Sequence, residues 1–239
     1  MRTYIKAVKI INPASQWHNQ SVNLLVDDGV ITEINLSGRI DADIIIEEKE
    51  LHASASWLDM RVFSGEPGEE YREDFESLAN VLEAGGFGSA LLMPNTNPVI
   101  QNKADIKTVM SRNSGQAAQI LPSAAVTINC DGENLNEMLD VYHAGAIAFT
   151  DGAQPLWNSD ILVKSLQYLQ KFDGLLMTMP QDHKLALFGQ MNEGIVSTGL
   201  GLKGIPHLAE EIIIQRDLEL LKYAGGKLHF SCISSSKSV

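Results

Sequence analysis

The sequence predicts an α/β chain: an incomplete (β/α) TIM-type barrel preceded by a small N-terminal β-sandwich layer. Three observations predict it. From Trp57 onward, strand-like runs alternate with helix-periodic runs, which implies parallel βαβ units. No Gly-rich phosphate fingerprint follows any of these strands, which argues against an open dinucleotide-binding sheet. Roughly 180 residues remain after Ser56, enough for about six βα units where a closed barrel has eight.

The first domain, residues 1–55, is short-stranded and β-rich. Val8–Ile11, Val22–Val26 and Val30–Ile34 are candidate strands, and Asp43–Glu47 adds another. Asp27-Asp28-Gly29 between the second and third is a hairpin turn signal, because Gly tolerates positive φ. The second domain, residues 56–239, carries strand runs at Trp57–Phe63, Phe87–Met93, Ile120–Thr127, Ala146–Thr150, Leu175–Met179 and Leu228–Ile233. Phe75, Leu78, Ala79 and Leu82 recur at helical spacing, with Asp74 as N-cap and Gly85-Gly86 as the stop. Leu135, Met138, Leu139 and Tyr142 repeat that spacing before Gly145, and Leu208–Tyr223 is a longer helix ending at Gly225-Gly226.

Composition narrows the function classes. The formal net charge of -12 repels phosphate backbones and anionic lipid, so neither nucleic acid nor a membrane is an expected partner. Cys130 and Cys232 are the two cysteines and form no disulfide framework. No apolar run approaches the roughly 18 residues of a membrane span, and the wording after Met1, without a long apolar core, leads us to expect no signal peptide. The expected location is the cytoplasm.

Barrel chemistry sits on the loops after the strands. On those loops and between them the chain carries, in order, Glu66-Pro67-Gly68, Gly85-Gly86-Phe87, Met93-Pro94-Asn95-Thr96, Met191-Asn192-Glu193-Gly194, Gly204-Ile205-Pro206 and Ala209-Glu210. In this order, nearly end to end, the segments resemble dihydroorotases of the multifunctional-complex type, in the amidohydrolase superfamily. The resemblance implies pyrimidine biosynthesis, a zinc pair, a substrate pocket that includes Asn95, and a longer chain whose C-terminal part supplies the last strands and the general base.

The departures fall on the metal positions that the resemblance implies. The first-strand histidine pair is replaced by Arg61 and Phe63, the fifth-strand histidine by Met179 and the sixth-strand histidine by Cys232. Gly65 stands for the arginine that grips the substrate carboxylate, and the paired aspartates are reduced to Asp151 followed by Gly152. Asp151 alone survives. Guanidinium and phenyl groups donate no electron pair to a cation, so no metal or other cofactor is expected. Met179 and Phe63 are expected to pack into the vacated metal space, with Cys232 a small buried hydrophobe. A buried Arg61 needs a carboxylate, and Asp151 is the candidate partner.

Bland readings stand beside sharper ones. Asn95 either binds a pyrimidine-like ligand or belongs to a structural turn, Asn95-Thr96-Asn97-Pro98. Asp151 holds a cation or serves as a hydrogen-bond acceptor. Cys232, His229, Asp151 and His183 either rebuild a one-metal site or are unrelated. The acidic run Glu66–Glu76 is a docking surface or a solvated helix start. The resulting expectation is a dihydroorotase-like protein without catalysis, structural or regulatory, with aspartate transcarbamoylase as the partner the resemblance implies. The alternative is an active cyclic amide hydrolase of conventional or altered chemistry. Open strand edges also predict a homo-oligomer or a missing C-terminal segment.

Overall fold

The computed structural model describes residues 1–38, 40–112 and 117–239, which divide into two compact units, Met1–Ser56 and Trp57–Val239. The first unit is a five-stranded sheet. Its strands are β1 (Arg2–Ile11), β2 (Ser21–Asp27), β3 (Val30–Ile34), β4 (Ile44–Ile46) and β5 (His52–Ser54). β1 is the organising strand: it pairs antiparallel with β2 and parallel with both β4 and β5. The register shifts between Ile5 and Val8, where Ala7 takes a φ of 50°. This bulge removes the Ala7 N–H from the ladder, and Asn23 Oδ1 accepts it at 3.0 Å. Val8, Val22 and Leu24 form the core, with Ile5, Ile10, Trp17, Leu51 and Ala53 packed around them. Asp28 and Gly29 both have positive φ, 46° and 80°, which suits a two-residue turn to right-handed strand twist.

The second unit begins with β6 (Trp57–Val62), α1 (Phe75–Ala84), β7 (Phe87–Leu92), α2 (Lys103–Arg112) and β8 (Gln119–Ala124). It continues through α3 (Met138–Ala144), β9 (Ala148–Phe149), α4 (Ser159–Leu169) and β10 (Leu176–Thr178). The last elements are β11 (Met191–Asn192), α5 (Ile195–Leu200), β12 (Gly204–Ile205), α6 (Leu208–Ala224) and β13 (Leu228–Phe230). Six strands form one parallel sheet in the order β13-β10-β9-β8-β7-β6. This is the parallel sheet of an incomplete (β/α) barrel.

Both sheet faces are apolar because both are covered. One face gives Ala90, Leu92, Ile120, Phe149 and Leu176 to the core shared with α1, α2 and α4. Alternate residues Leu91, Met93, Ala148 and Met177 cluster with Met60, Leu121 and Leu175. α1 is capped as its sequence predicts: the Ser77 N–H donates to Asp74 Oδ1 at 2.8 Å, and Asp74 N–H donates to Ser77 Oγ at 3.2 Å.

Six barrel strands are expected and six form, though most are shorter at one or both ends than their apolar runs. The helix expected from Leu135 starts only at Met138, because Leu135 instead bridges Thr127 in a loop. Helices α2, α4 and α5 and strand β5 are additional to the elements the sequence singles out. The motifs Met191–Gly194 and Gly204–Pro206 have a shared structural role. They supply β11 and β12, which pair with each other off the main sheet, and a Cβ at Gly204 would collide with the Glu193 backbone.

Candidate functional site

Three of the departing positions meet at the C-terminal ends of β6 and β10. The Arg61 guanidinium lies 4.8 Å from the centroid of the Phe63 ring. Its Nη2 donates to Met179 Sδ at 3.6 Å, and its Nε is buried without a hydrogen-bond partner. Arg61 near the end of β6 is two residues from Phe63, which follows the strand, and Met179, the residue after β10, meets the same guanidinium. Phe63 remains 40 % exposed, so it flanks the guanidinium instead of filling a buried space. Cys232 also departs from expectation. It is exposed, at a φ of 61° in the loop after β13, and Cys130 is the buried cysteine. Burial, with the nearby Asp151 and Asp131 charges, pushes the Cys130 thiol up to about 12, which leaves it inert.

Arg61 is not paired with Asp151. The Asp151 carboxylate is buried at the end of β9 and is occupied by the loop after β8. Oδ1 accepts the Val126 and Thr127 N–H groups at 3.0 and 2.9 Å, and Oδ2 accepts the Thr127 hydroxyl at 2.7 Å. The buried Val126 and Thr127 amides cannot reach water, and the carboxylate satisfies them. Burial raises the Asp151 pKa, against the lowering effect of those donors. Thr127 is a residue that sequence reasoning missed. Its hydroxyl also accepts the Gly132 N–H at 2.9 Å, and only the folded contact reveals that.

Asn95 joins the loops after β7 and β9. Its Nδ2 donates to the Asp151 carbonyl at 3.0 Å, and its Oδ1 accepts the Ala153 N–H at 2.8 Å. The neighbouring Thr96 hydroxyl donates to the Pro98 carbonyl at 2.7 Å, giving the whole segment turn chemistry. Gly152 lies directly beneath, at a φ of 60°, and any Cβ there would fall on Asn95 Oδ1. Gly65 is equally confined: a Cβ would collide with the Glu69 carbonyl oxygen. Glu66 is nearly buried, accepts the Phe75 N–H at 2.9 Å and lies 3.3 Å from Arg112 Nε. The first residue of the acidic run therefore anchors α1.

Three cavities open at these loops. One of about 510 Å³ is lined by Phe63, Asn95, Thr96 and Asn97 together with Glu69 and Arg72. Another, about 460 Å³, lies beside Cys130, Trp157 and His183. The third, about 220 Å³, includes Met179, Gln181, Asn192, His207 and Cys232. Asp151, Cys232, His229 and His183 are not brought together. Among the described residues, no three His, Cys, Asp or Glu side chains gather as a metal ion would require.

The donor set does not fit the zinc pair that the resemblance implies. A cation occupies the place of one ligand, a ring and a thioether flank it, and Asp151 spends both oxygens on its own loop.

A family model described as Dihydro-orotase-like matches residues 55–238. The dihydroorotase of Pelobacter propionicus is 35 % identical over 241 residues, covering 100 % of this chain and 57 % of the relative. That of Desulfotalea psychrophila is 37 % identical over 182 residues, covering 76 % of this chain and 43 % of the relative. The chain thus spans about half the length of the curated relatives it matches. Among solved structures, the L-hydantoinase (dihydropyrimidinase) of Arthrobacter aurescens superposes with a TM-score of 0.70 at 17 % identity, covering 95 % of this chain and 51 % of that one. A dihydroorotase crystal structure gives 0.57 at 11 % identity, covering 95 % and 64 %. These structural likenesses speak to the fold alone.

Proposed function

Because the chain belongs to the dihydro-orotase-like family, we propose that it is a member of pyrimidine biosynthesis without metal-dependent ring hydrolysis, serving a structural or regulatory role. The carrying observation is the guanidinium of Arg61 resting on Phe63 and Met179. Hydrolysis of a cyclic amide near neutral pH needs a metal-bound hydroxide and a Lewis acid on the carbonyl. A permanently charged side chain at that place repels the ion that would supply both.

Under this reading the retained motifs keep the fold. Glu66 holds the start of α1, Asn95 joins two loops, and the Met191 and Gly204 motifs pair as β11 and β12. Asn95 also borders the largest of the three cavities and is the residue we assign to any pyrimidine-like ligand retained there. Aspartate transcarbamoylase is the proposed partner, and a second copy of this chain is the alternative occupant of the open edges.

The test is an assay of purified protein with dihydroorotate, with and without added zinc. The expected result is no turnover above the uncatalysed rate in either condition. Appreciable zinc-dependent turnover would sink the proposal and favour the conventional hydrolase.

A further inference from the structure

The cavity of about 460 Å³ is lined by Trp157, Pro155, Gln154, His183, Asp131 and Cys130. Asp131 is its one carboxylate, and no Lys or Arg side chain lines it. The Glu133 N–H donates to Asp131 Oδ1 at 2.7 Å and holds that carboxyl below the usual carboxylate range, so the group is an anion at neutral pH. The Cys130 thiol senses the same field: burial raises its pKa most, and the Asp151 and Asp131 charges raise it further. Surroundings that oppose a new negative charge favour a positive one.

Trp157 is held in place before any ligand arrives. Its ring packs over Gly132, where a Cβ would come within 2.6 Å of Nε1. Arg216 on α6 donates through Nη1 to the Trp157 carbonyl and through Nη2 to the Leu156 carbonyl, both at 2.7 Å. The buried Asp217 carboxylate lies 2.6 Å from Nη2 and neutralises that guanidinium. Backbone and ring are thus both anchored, yet the side chain lines the cavity and the residue stays 47 % exposed. An indole fixed beside a carboxylate attracts a cation through its ring face, with little ordering cost on binding.

We propose that this cavity is a binding site for a small organic cation of the alkylammonium class, with the Trp157 ring against the cation and Asp131 as its counter-charge. None of the eroded metal positions lines it. The charge it selects is opposite to that of the carboxylate substrate that the family resemblance implies. The site does not depend on the absence of hydrolysis, because binding is read without turnover.

Tetramethylammonium is the probe, and tert-butanol is its uncharged counterpart of similar shape. Both are titrated at constant ionic strength into the ¹⁵N-labelled full chain, following the Trp157 indole N–H signal, which is identified by its absence from Trp157→Leu. That signal is expected to move saturably with tetramethylammonium and not with tert-butanol. Broadening of the tetramethylammonium proton line compares the variants. Trp157→Leu should weaken binding by about threefold to thirtyfold, the range of a cation–π contact. Asp131→Asn, which keeps an acceptor for the Glu133 N–H, should weaken it by about two- to fivefold, the scale of an exposed ion pair. Should either variant fail to fold, Gln154→Lys, which puts a cation in the cavity, is expected to abolish binding. No saturable shift in wild type, an equal response to tert-butanol, or undiminished binding by any of these variants once folded overturns the proposal. Such a result leaves the zinc-dependent turnover assay unaffected.

Discussion

Gly152 and Asn95 show how departures at single residues are locked together. The carboxamide fills the space that a side chain at position 152 would need, and it spends both ends on the backbone. Gly152→Asp is therefore expected to destabilise the fold by about 2–3 kcal/mol, through lost hydrogen bonds and a strained φ. A urea midpoint equal to wild type would refute that. For the same reason, Arg61→His combined with Phe63→His is expected to produce no zinc-dependent hydrolysis, since Met179, Cys232, Gly65 and Gly152 stay as they are. Measurable rescue by the pair would mean the site is built differently. Sequence reading identified all of these positions from motif wording. It could not find the Asp151 partner, because the competing donors are backbone amides of Val126 and Thr127, which carry no sequence signature.

At the scale of elements, α6 carries two carboxylates with opposite pH behaviour. Asp217 is buried and takes Arg216 on Oδ1 at 2.6 Å, leaving Oδ2 without a partner. Burial pushes its pKa up to about 6 despite the arginine. A raised carboxylate pKa means the folded state holds the proton more tightly, so stability from this group is greatest at low pH and is lost as pH rises through about 6. Glu210, at the start of the helix, is opposed by burial but held down to about 2 by the donors of Ser235 and Ser234. Its contribution is present above 4.5 and is lost as pH falls toward 2. In urea titrations, wild type should gain on Asp217→Asn between pH 7 and 5. It should lose its advantage over Glu210→Gln between pH 5 and 3. Flat differences across both windows would contradict this account. Long elements such as α6 were legible because apolar spacing persists over 17 residues. α2 was not: it buries Ile106 and Val109 but is otherwise mostly polar. α5 is six residues long and keeps its apolar side chains exposed.

For the molecule as a whole, what covers the sheets decides behaviour in solution. β6 and β13 each have one neighbour in the six-stranded sheet. Trp57 on β6 is 64 % exposed, and Ile195 on α5 is 93 % exposed. Separately, every residue of β3 is exposed, Val30 and Ile31 included. Unpaired edges beside apolar surface favour association. Light scattering is accordingly expected to give a mass above the 26.1 kDa of one chain, and a monomer at micromolar concentration would count against it. The number of barrel strands could be read from the sequence because the inner strands β7 to β10 are short apolar runs with mostly buried residues, and the edge strands β6 and β13 keep the same kind of run. Their shared edges could not, since pairing is a property of the assembled sheet. The strand order has a further consequence for how the chain is made. From β6 to β10 each new strand docks on the one translated just before it, and β13 then joins β10. The sheet can therefore grow in the direction of synthesis, with each emerging segment finding its template already in place.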